Sequence, residues 1–311
     1  VTTGHQLCIY GGPLFFFHKI LSAVALAKRL TADGLDTVPV YWMATEDHDF
    51  EEINHVFIGN QKVAWEKQVT GPVGRIELDN LETFKSELKA HLPSSPVMDE
   101  LLQKMDEIYC ADCTLTEATR DFVHYIFGHL GVVVIDADDL FLKPFLKEVI
   151  ADDILKQFSS KALEAKNEFL KNANYNVQVE GREINFFFVE EDYRERIVRH
   201  QDGFATADGA YLWSHQEMTQ LIQSFPQKFS PNVVLRPVYQ ELILPNVAYI
   251  GGPGELSYWL QLKDVFKAAK AFYPPVLLRD MVALVPEKTQ KRLSQTQVAY
   301  TDLSKGLEEL F

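Results

Sequence analysis

The sequence has 311 residues, 47% of them hydrophobic and 12% aromatic. That is enough to bury a large core without disulfide or metal staples, and too apolar for a disordered chain. Its 44 Asp and Glu against 30 Lys and Arg give a formal net charge of −14 with no basic run, which excludes bulk nucleic-acid binding, since a duplex binder needs a basic face.

In chain order, residues 1–3 read as a strand broken by Gly4-His5-Gln6. Gly11-Gly12-Pro13 break the chain again before a long helix over 14–30, with Gly34 just past its end as a cap. Residues 38–43 are a short apolar run, as in a buried parallel strand, followed by Glu46-Asp47-His48-Asp49 and Glu51-Glu52. Residues 55–79 read as hairpin material, with strands at 56–58 and 63–65 around Gly59-Asn60 and another at 76–78. Helices are predicted over 80–91, 97–108 and 114–128, a buried strand over 131–136, and helix over 144–173. A hairpin pairs 176–179 with 183–189 around Gly181-Arg182. From 232 the parallel α/β character returns. A strand at 233–235 leads to a helix over 236–244, and a strand at 247–250 ends at Gly251-Gly252-Pro253-Gly254. A helix over 255–271 and a last strand at 276–278 follow, and 286–309 reads as polar helix.

These segments divide an open α/β core (1–54, 130–150 and 232–285) from two inserted regions (55–129 and 151–231), with a helical tail at 286–311. Three cysteines, no apolar run of membrane-span length and no visible secretory leader point to a reducing cytoplasm. Cys110 and Cys113 have no second Cys pair or His pair beside them, so no zinc site is evident and two free thiols are expected.

Ligands of open parallel sheets bind at the carboxyl ends of strands. Thr3, Gly4, His5 and Gln6 sit at such an end, where a Gly lets backbone approach a phosphate and a His can donate to it; an ordinary turn is the competing reading. Gly11 and Gly12 could present N–H groups to an anion, although a tight helix entry carries more weight. Lys19 could reach a phosphate or be solvated. Glu46, Asp47 and Asp49 form a carboxylate cluster able to bind Mg²⁺ or orient an amine, with His48 a candidate general base. Gly251, Gly252 and Gly254 suit close approach of a ligand, Glu255 opens the next helix, and Arg236 offers a fork for carboxylate or phosphate. Tyr258 and Trp259 read either as core or as a pocket wall.

Three stretches carry a family resemblance: Thr3-Gly4-His5-Gln6 with Gly11-Gly12-Pro13-Leu14-Phe15-Phe16, Val40-Tyr41-Trp42-Met43-Ala44-Thr45-Glu46-Asp47-His48-Asp49-Phe50-Glu51-Glu52-Ile53, and Ala248-Tyr249-Ile250-Gly251-Gly252-Pro253-Gly254-Glu255. Together they resemble the bacillithiol-biosynthesis cysteine-adding enzyme family. The resemblance implies a Rossmann-like core related to class I aminoacyl-tRNA synthetases and nucleotidyltransferases, with connecting-peptide insertions and a C-terminal coiled coil used for homodimerisation. It also implies a chain lacking part of both ends of a family member. Thr3-Gly4-His5-Gln6 takes the place of the synthetases' HIGH signature, and Arg279-Asp280-Met281 stands where a KMSKS-like loop would fall.

The implied activity is a carbon–nitrogen ligase joining L-cysteine to glucosaminyl malate. Cysteine's carboxylate would be activated as an adenylate or phosphate ester, with ATP or another nucleotide held by residues 3–6 and 11–12. His5 would stabilise transition-state charge, residues 46–49 would bind the amine and take its proton, with Asp47 and His48 central, and Arg236 and Glu255 would orient substrate. Two other readings stand beside it: a nucleotidyltransferase-like enzyme acting on another amino acid or amine, and a non-catalytic dimerising scaffold.

Overall fold

The computed structural model describes residues 1–296 and 298–305. The chain runs β1 (Thr2–His5), α1 (Leu14–Ala32), β2 (Val40–Met43), α2 (Phe50–Ile53), and the hairpin β3 (His55–Ile58) and β4 (Gln61–Ala64). Three helices follow, α3 (Glu82–His91), α4 (Pro96–Ile108) and α5 (Leu115–Phe127), then β5 (Val133–Asp136), α6 (Lys147–Lys156) and α7 (Phe158–Asn172). A run of strands, β6 (Phe186–Glu190), β7 (Tyr193–His200), β8 (Gly203–Thr206) and β9 (Leu212–Ser214), leads to α8 (His215–Ser224) and β10 (Phe229–Pro231). The chain returns through α9 (Arg236–Ile243), β11 (Tyr249–Gly251), α10 (Pro253–Ala268) and β12 (Val276–Leu278), and then α11 (Glu287–Thr296).

Five strands form one parallel sheet in the order β12-β11-β1-β2-β5. The chain winds outward from central β1 to β2 and β5, then crosses back to lay β11 on the other flank of β1. The loops after β1 and β11 therefore leave in opposite directions and open a crevice between them, the usual ligand position in a doubly wound sheet. Successive β2 side chains alternate between the faces: Tyr41 and Met43 enter one core with Phe16 and Ile20 of α1, and Trp42 enters the other with residues of α6, α9 and α10. A second, antiparallel sheet has the order β10-β6-β7-β8-β9.

The structure corrects several sequence expectations. Gly4 and His5 belong to β1 rather than breaking it. Residues 76–78 form no strand; only Glu77 bridges Thr114. The predicted helix over 144–173 is a short 3-10 turn (Lys143–Leu146) and two helices, with Gln157 left-handed (φ 54°) between them. The β6 partner is β7, not 176–179, because the turn falls at Glu191-Asp192 rather than at Gly181-Arg182. Residues 233–235 are a turn closed by Leu235 N–H on Asn232 O (3.1 Å), and the strand there is β10. Cys110 and Cys113 are joined as a disulfide, not free: the turn in which Cys113 N–H donates to Cys110 O (3.1 Å) brings their Cα atoms to 5.4 Å.

Residues Val1–Arg279 form one compact unit and Asp280–Phe311 a second. In the second, α11 ends at Thr296 and a 3-10 turn spans Tyr300–Ser304, so the predicted single helix is interrupted; its continuation over 306–311 lies outside the described residues. Among the described residues no helix is long and apolar enough to cross a membrane.

Gly12 has φ +59°, and a Cβ there would lie 2.4 Å from the Cys8 Cβ; Gly34 has φ +93° with open space around it. Gly12→Ala should therefore cost about 1–3 kcal/mol in strain and overlap, and Gly34→Ala about 1 kcal/mol. Thermal melts of the two variants check this order.

Candidate functional site

A cleft of about 1310 Å³ lies at the carboxyl ends of β1, β2 and β11. One end is built on the crossing between β1 and β11. Lys19, from α1, is buried; its Nζ donates to the Gly4 carbonyl and to Glu255 Oε2 at 2.5 Å. Glu255, from the first turn of α10, also accepts from Gly252 N–H (2.8 Å, Oε2) and from Tyr249 Oη (2.6 Å, Oε1). Burial alone would raise the Glu255 carboxyl, but Lys19 and these donors hold it below its usual range, while burial pulls Lys19 down against the attraction of Glu255. Arg236, at the start of α9, points into the same end, with Nη1 donating to Gln240 Oε1 (3.3 Å). Gly4 makes room for it: a Cβ there would lie 3.3 Å from Tyr249 Oη and 3.5 Å from Arg236 Nη1.

His5 closes β1 between the two ends. Its Nδ1 lies 3.0 Å from Gln6 O. A carbonyl only accepts, so Nδ1 carries the proton, and in the neutral ring Nε2 keeps its lone pair. Burial, followed by the Lys19 charge, lowers the imidazole pKa to about 4.

The other end follows β2. Gln6 Nε2 donates to Asp47 Oδ2 (3.1 Å) and Glu52 Oε2 (2.7 Å), and Asp47 Oδ1 accepts from His48 N–H (2.8 Å). Burial works to raise Asp47, but the adjacent His48 side chain, the Gln6 amide, the nearby Arg194 and the His48 N–H hold it well below the usual carboxylate range. Arg194, from β7, lies 3.7 Å from the centre of the Phe187 ring; its Nη1 donates to His48 Nδ1 at 2.5 Å. His48 Nδ1 is thus an acceptor, which leaves the proton of the neutral ring on Nε2.

The carboxylate cluster read from the sequence does not converge. Glu46 lines the cleft but is buried and paired with Lys143 Nζ, Asp49 is exposed outside the cleft, and Asp47 lines it with both oxygens bonded. The segment is therefore not arranged as a cation site, and among the described residues no group of three or more His, Cys, Asp or Glu is placed to hold a metal. Of the other predicted residues, Gly4, His5, Gln6, Gly12, Lys19, Glu46, Asp47, His48, Arg236, Gly252, Gly254 and Glu255 line the cleft, whereas Thr3, Gly11 and Gly251 do not. Thr3 Oγ1 instead donates to Ile250 O (2.8 Å), tying β1 to β11. Gly11 turns the chain at φ +80° against Phe122, so the tight helix entry accounts for it. Tyr258 lines the cleft and Trp259 stacks on Tyr249 in the core. Sequence reading missed Arg194, Phe187 and Tyr249; the first two stand on strands whose pairing it misjudged, and Tyr249 lay inside a quoted motif without a polar neighbour in sequence to mark it.

The doubly wound sheet with its polar crevice at the β1–β11 crossing is that of a Rossmann-like domain. A sequence model described as "Bacillithiol biosynthesis BshC, N-terminal Rossmann-like domain" matches residues 1–280, and the chain belongs to that family. It is 41% identical over 312 residues to a Flavobacterium johnsoniae protein named "Putative cysteine ligase BshC", covering 100% of this chain and 59% of the relative. Proteins of the same name from Staphylococcus haemolyticus (33% identical, 95% of this chain, 57% of the relative) and Bacillus cereus (28%, 97% and 58%) are similar. The chain thus spans less than two thirds of the length of these relatives.

Lys19→Met would leave the Glu255 carboxylate recessed without its cation and should cost about 3 kcal/mol. Adding Glu255→Gln should restore part of the loss, which a double-mutant cycle of chemical denaturation measures. Because folded His5 resists protonation between its ordinary 6.5 and about 4, the unfolded chain binds more protons in that window, so stability falls as pH drops through it. His5→Gln should flatten that slope, read from denaturation midpoints between pH 7 and 4.

Proposed function

We propose that this cleft is the ligase site of a cytoplasmic enzyme of bacillithiol biosynthesis, where L-cysteine is joined through an amide to the amino group of glucosaminyl malate. The observation that carries the reading is the polarity of the cleft: Lys19 and Arg236 outnumber Glu255 at one end, and Asp47, kept ionised, and Glu52 outnumber Arg194 at the other. Such a site takes an anionic activated carboxyl and an ammonium side by side, and holding both reactants in one geometry accounts for much of the expected rate gain. The names of the relatives support the same reaction.

Amide formation from a carboxylate needs activation. A nucleotide fits the Lys19–Arg236 end, whose positive charge complements phosphates and whose Gly252 and Gly254 carry no side chains into the cleft; bound there, it would supply the leaving group. The chain's own residues do the rest. The hydrogen bonds favour an exchange of the two histidine roles expected from the sequence. His5 presents the Nε2 lone pair and accepts the proton of the attacking amine, as an anion bound beside Lys19 offsets that charge and raises the ring toward its working range. His48 presents Nε2–H and can donate to developing oxyanion charge. Asp47 draws in the ammonium. We further propose that the full-length protein dimerises through helices beyond the unit described here.

The test is incubation of the full-length protein with cysteine, glucosaminyl malate and ATP, followed by mass spectrometry of the product. His5→Ala should lower kcat/KM by about 100-fold or more while shifting the melting temperature little. Unchanged cysteine-dependent product formation would remove His5 from the reaction.

A further inference from the structure

Arg194 reaches the cleft from β7, on the antiparallel-sheet wall. Lys19 is paired with Glu255 and, behind the cleft wall, Lys143 with Glu46 and Arg75 with Asp138. Arg194 forms no ion pair with any carboxylate among the described residues. Its bonds go to neutral acceptors: Nε and Nη2 donate to Ser230 Oγ (3.3 and 3.2 Å), and Nη1 to His48 Nδ1 (2.5 Å). The nearest acids are committed elsewhere, Asp47 to Gln6 and the His48 N–H, Glu46 to Lys143. A guanidinium has five N–H donors. Three are spent, which leaves one N–H on each terminal nitrogen, the pair that a carboxylate accepts side by side. Stacking on Phe187 at 3.7 Å fixes the plane of the fork, and Ser230 of β10 fixes its rotation.

We infer that Arg194 is the specificity-determining anchor for a carboxylate carried by the amine substrate, holding it bidentately on the antiparallel-sheet wall of the cleft while the amine meets Asp47. This rests on the ligase reading above. The position suits it, because His48 joins Arg194 directly to the Asp47 segment, so that one rigid chain of contacts holds both the carboxylate fork and the amine end. A site built to pair a charged group discriminates strongly against an analogue that lacks it, since the recessed cation is then left without its partner.

The experiment uses the full-length protein with two acceptors, glucosaminyl malate and an uncharged alkyl glucosaminide. Arg194→Met should lower the ratio of kcat/KM for the carboxylated over the uncharged acceptor by roughly 10–100-fold, mainly through KM, with Arg194→Lys between the two. Titration calorimetry with malate alone should show binding to the folded wild type that Arg194→Met loses. Equal losses on both acceptors, a fall in kcat alone, or no malate binding by the folded wild type would overturn the inference. The ligase reading fails separately: if the wild type makes no cysteine amide yet binds malate in an Arg194-dependent manner, the anchor stands and the reaction assigned to the cleft falls.

Discussion

The Lys19–Glu255 ion pair is the contact on which the site geometry depends. It joins α1, which follows β1, to α10, which follows β11, across the line where the chain reverses its winding. A crevice at that line is a topological consequence of the fold, and beneath it Thr3 Oγ1 on Ile250 O already ties β1 to β11. Lys19 adds a bond to Gly4 O, so that one ammonium fixes a strand end and two helices at once. Glu255 in turn caps α10 through Gly252 N–H and takes Tyr249 Oη. A recessed ion pair of this kind contributes little net stability over an apolar pair; its value here is positional, because His5 sits on the strand end that Lys19 holds and takes its low proton affinity partly from the Lys19 charge.

The two histidines show how local bonding sets chemical role. Both lie on the cleft, and either could serve as base or donor from composition alone. The Gln6 carbonyl fixes the proton of His5 on Nδ1, and the Arg194 guanidinium fixes the proton of His48 on Nε2. The rings therefore offer opposite functions to a ligand between them.

Much of the parallel core was legible in the sequence because short apolar runs, Gly-rich junctions and capped helices are local signals: β2, α1, α9, α10 and β12 fall within a few residues of the expected positions. The antiparallel sheet was less legible. Strand β7 reads Tyr193-Arg194-Glu195-Arg196-Ile197-Val198-Arg199-His200, whose charged residues look like surface, and its pairing with β6 is set by the turn at Glu191-Asp192, which carries no Gly or Pro signal. Of the site, the motif residues at the strand ends were visible. The pairing of Glu46 with Lys143, 97 positions away, was not, and it takes Glu46 out of the carboxylate cluster that the Glu46-Asp47-His48-Asp49 segment suggests. Charge clusters in sequence report composition, whereas their function depends on distant partners.

Charge partition gives the cleft its character. The chain as a whole has 44 acids against 30 bases, yet the residues lining the cleft include five of each: Lys19, Arg182, Arg194, Arg236 and Arg279 against Glu46, Asp47, Glu52, Glu180 and Glu255. Two of those acids, Glu46 and Glu255, are neutralised by lysines, and one of those lysines, Lys143, stands behind the lining. Four arginines then face three acids, a slight positive excess in a protein of formal net charge −14. A low-dielectric cleft focuses such a field. The arrangement requires the antiparallel sheet, because Arg194 reaches the cleft only from β7.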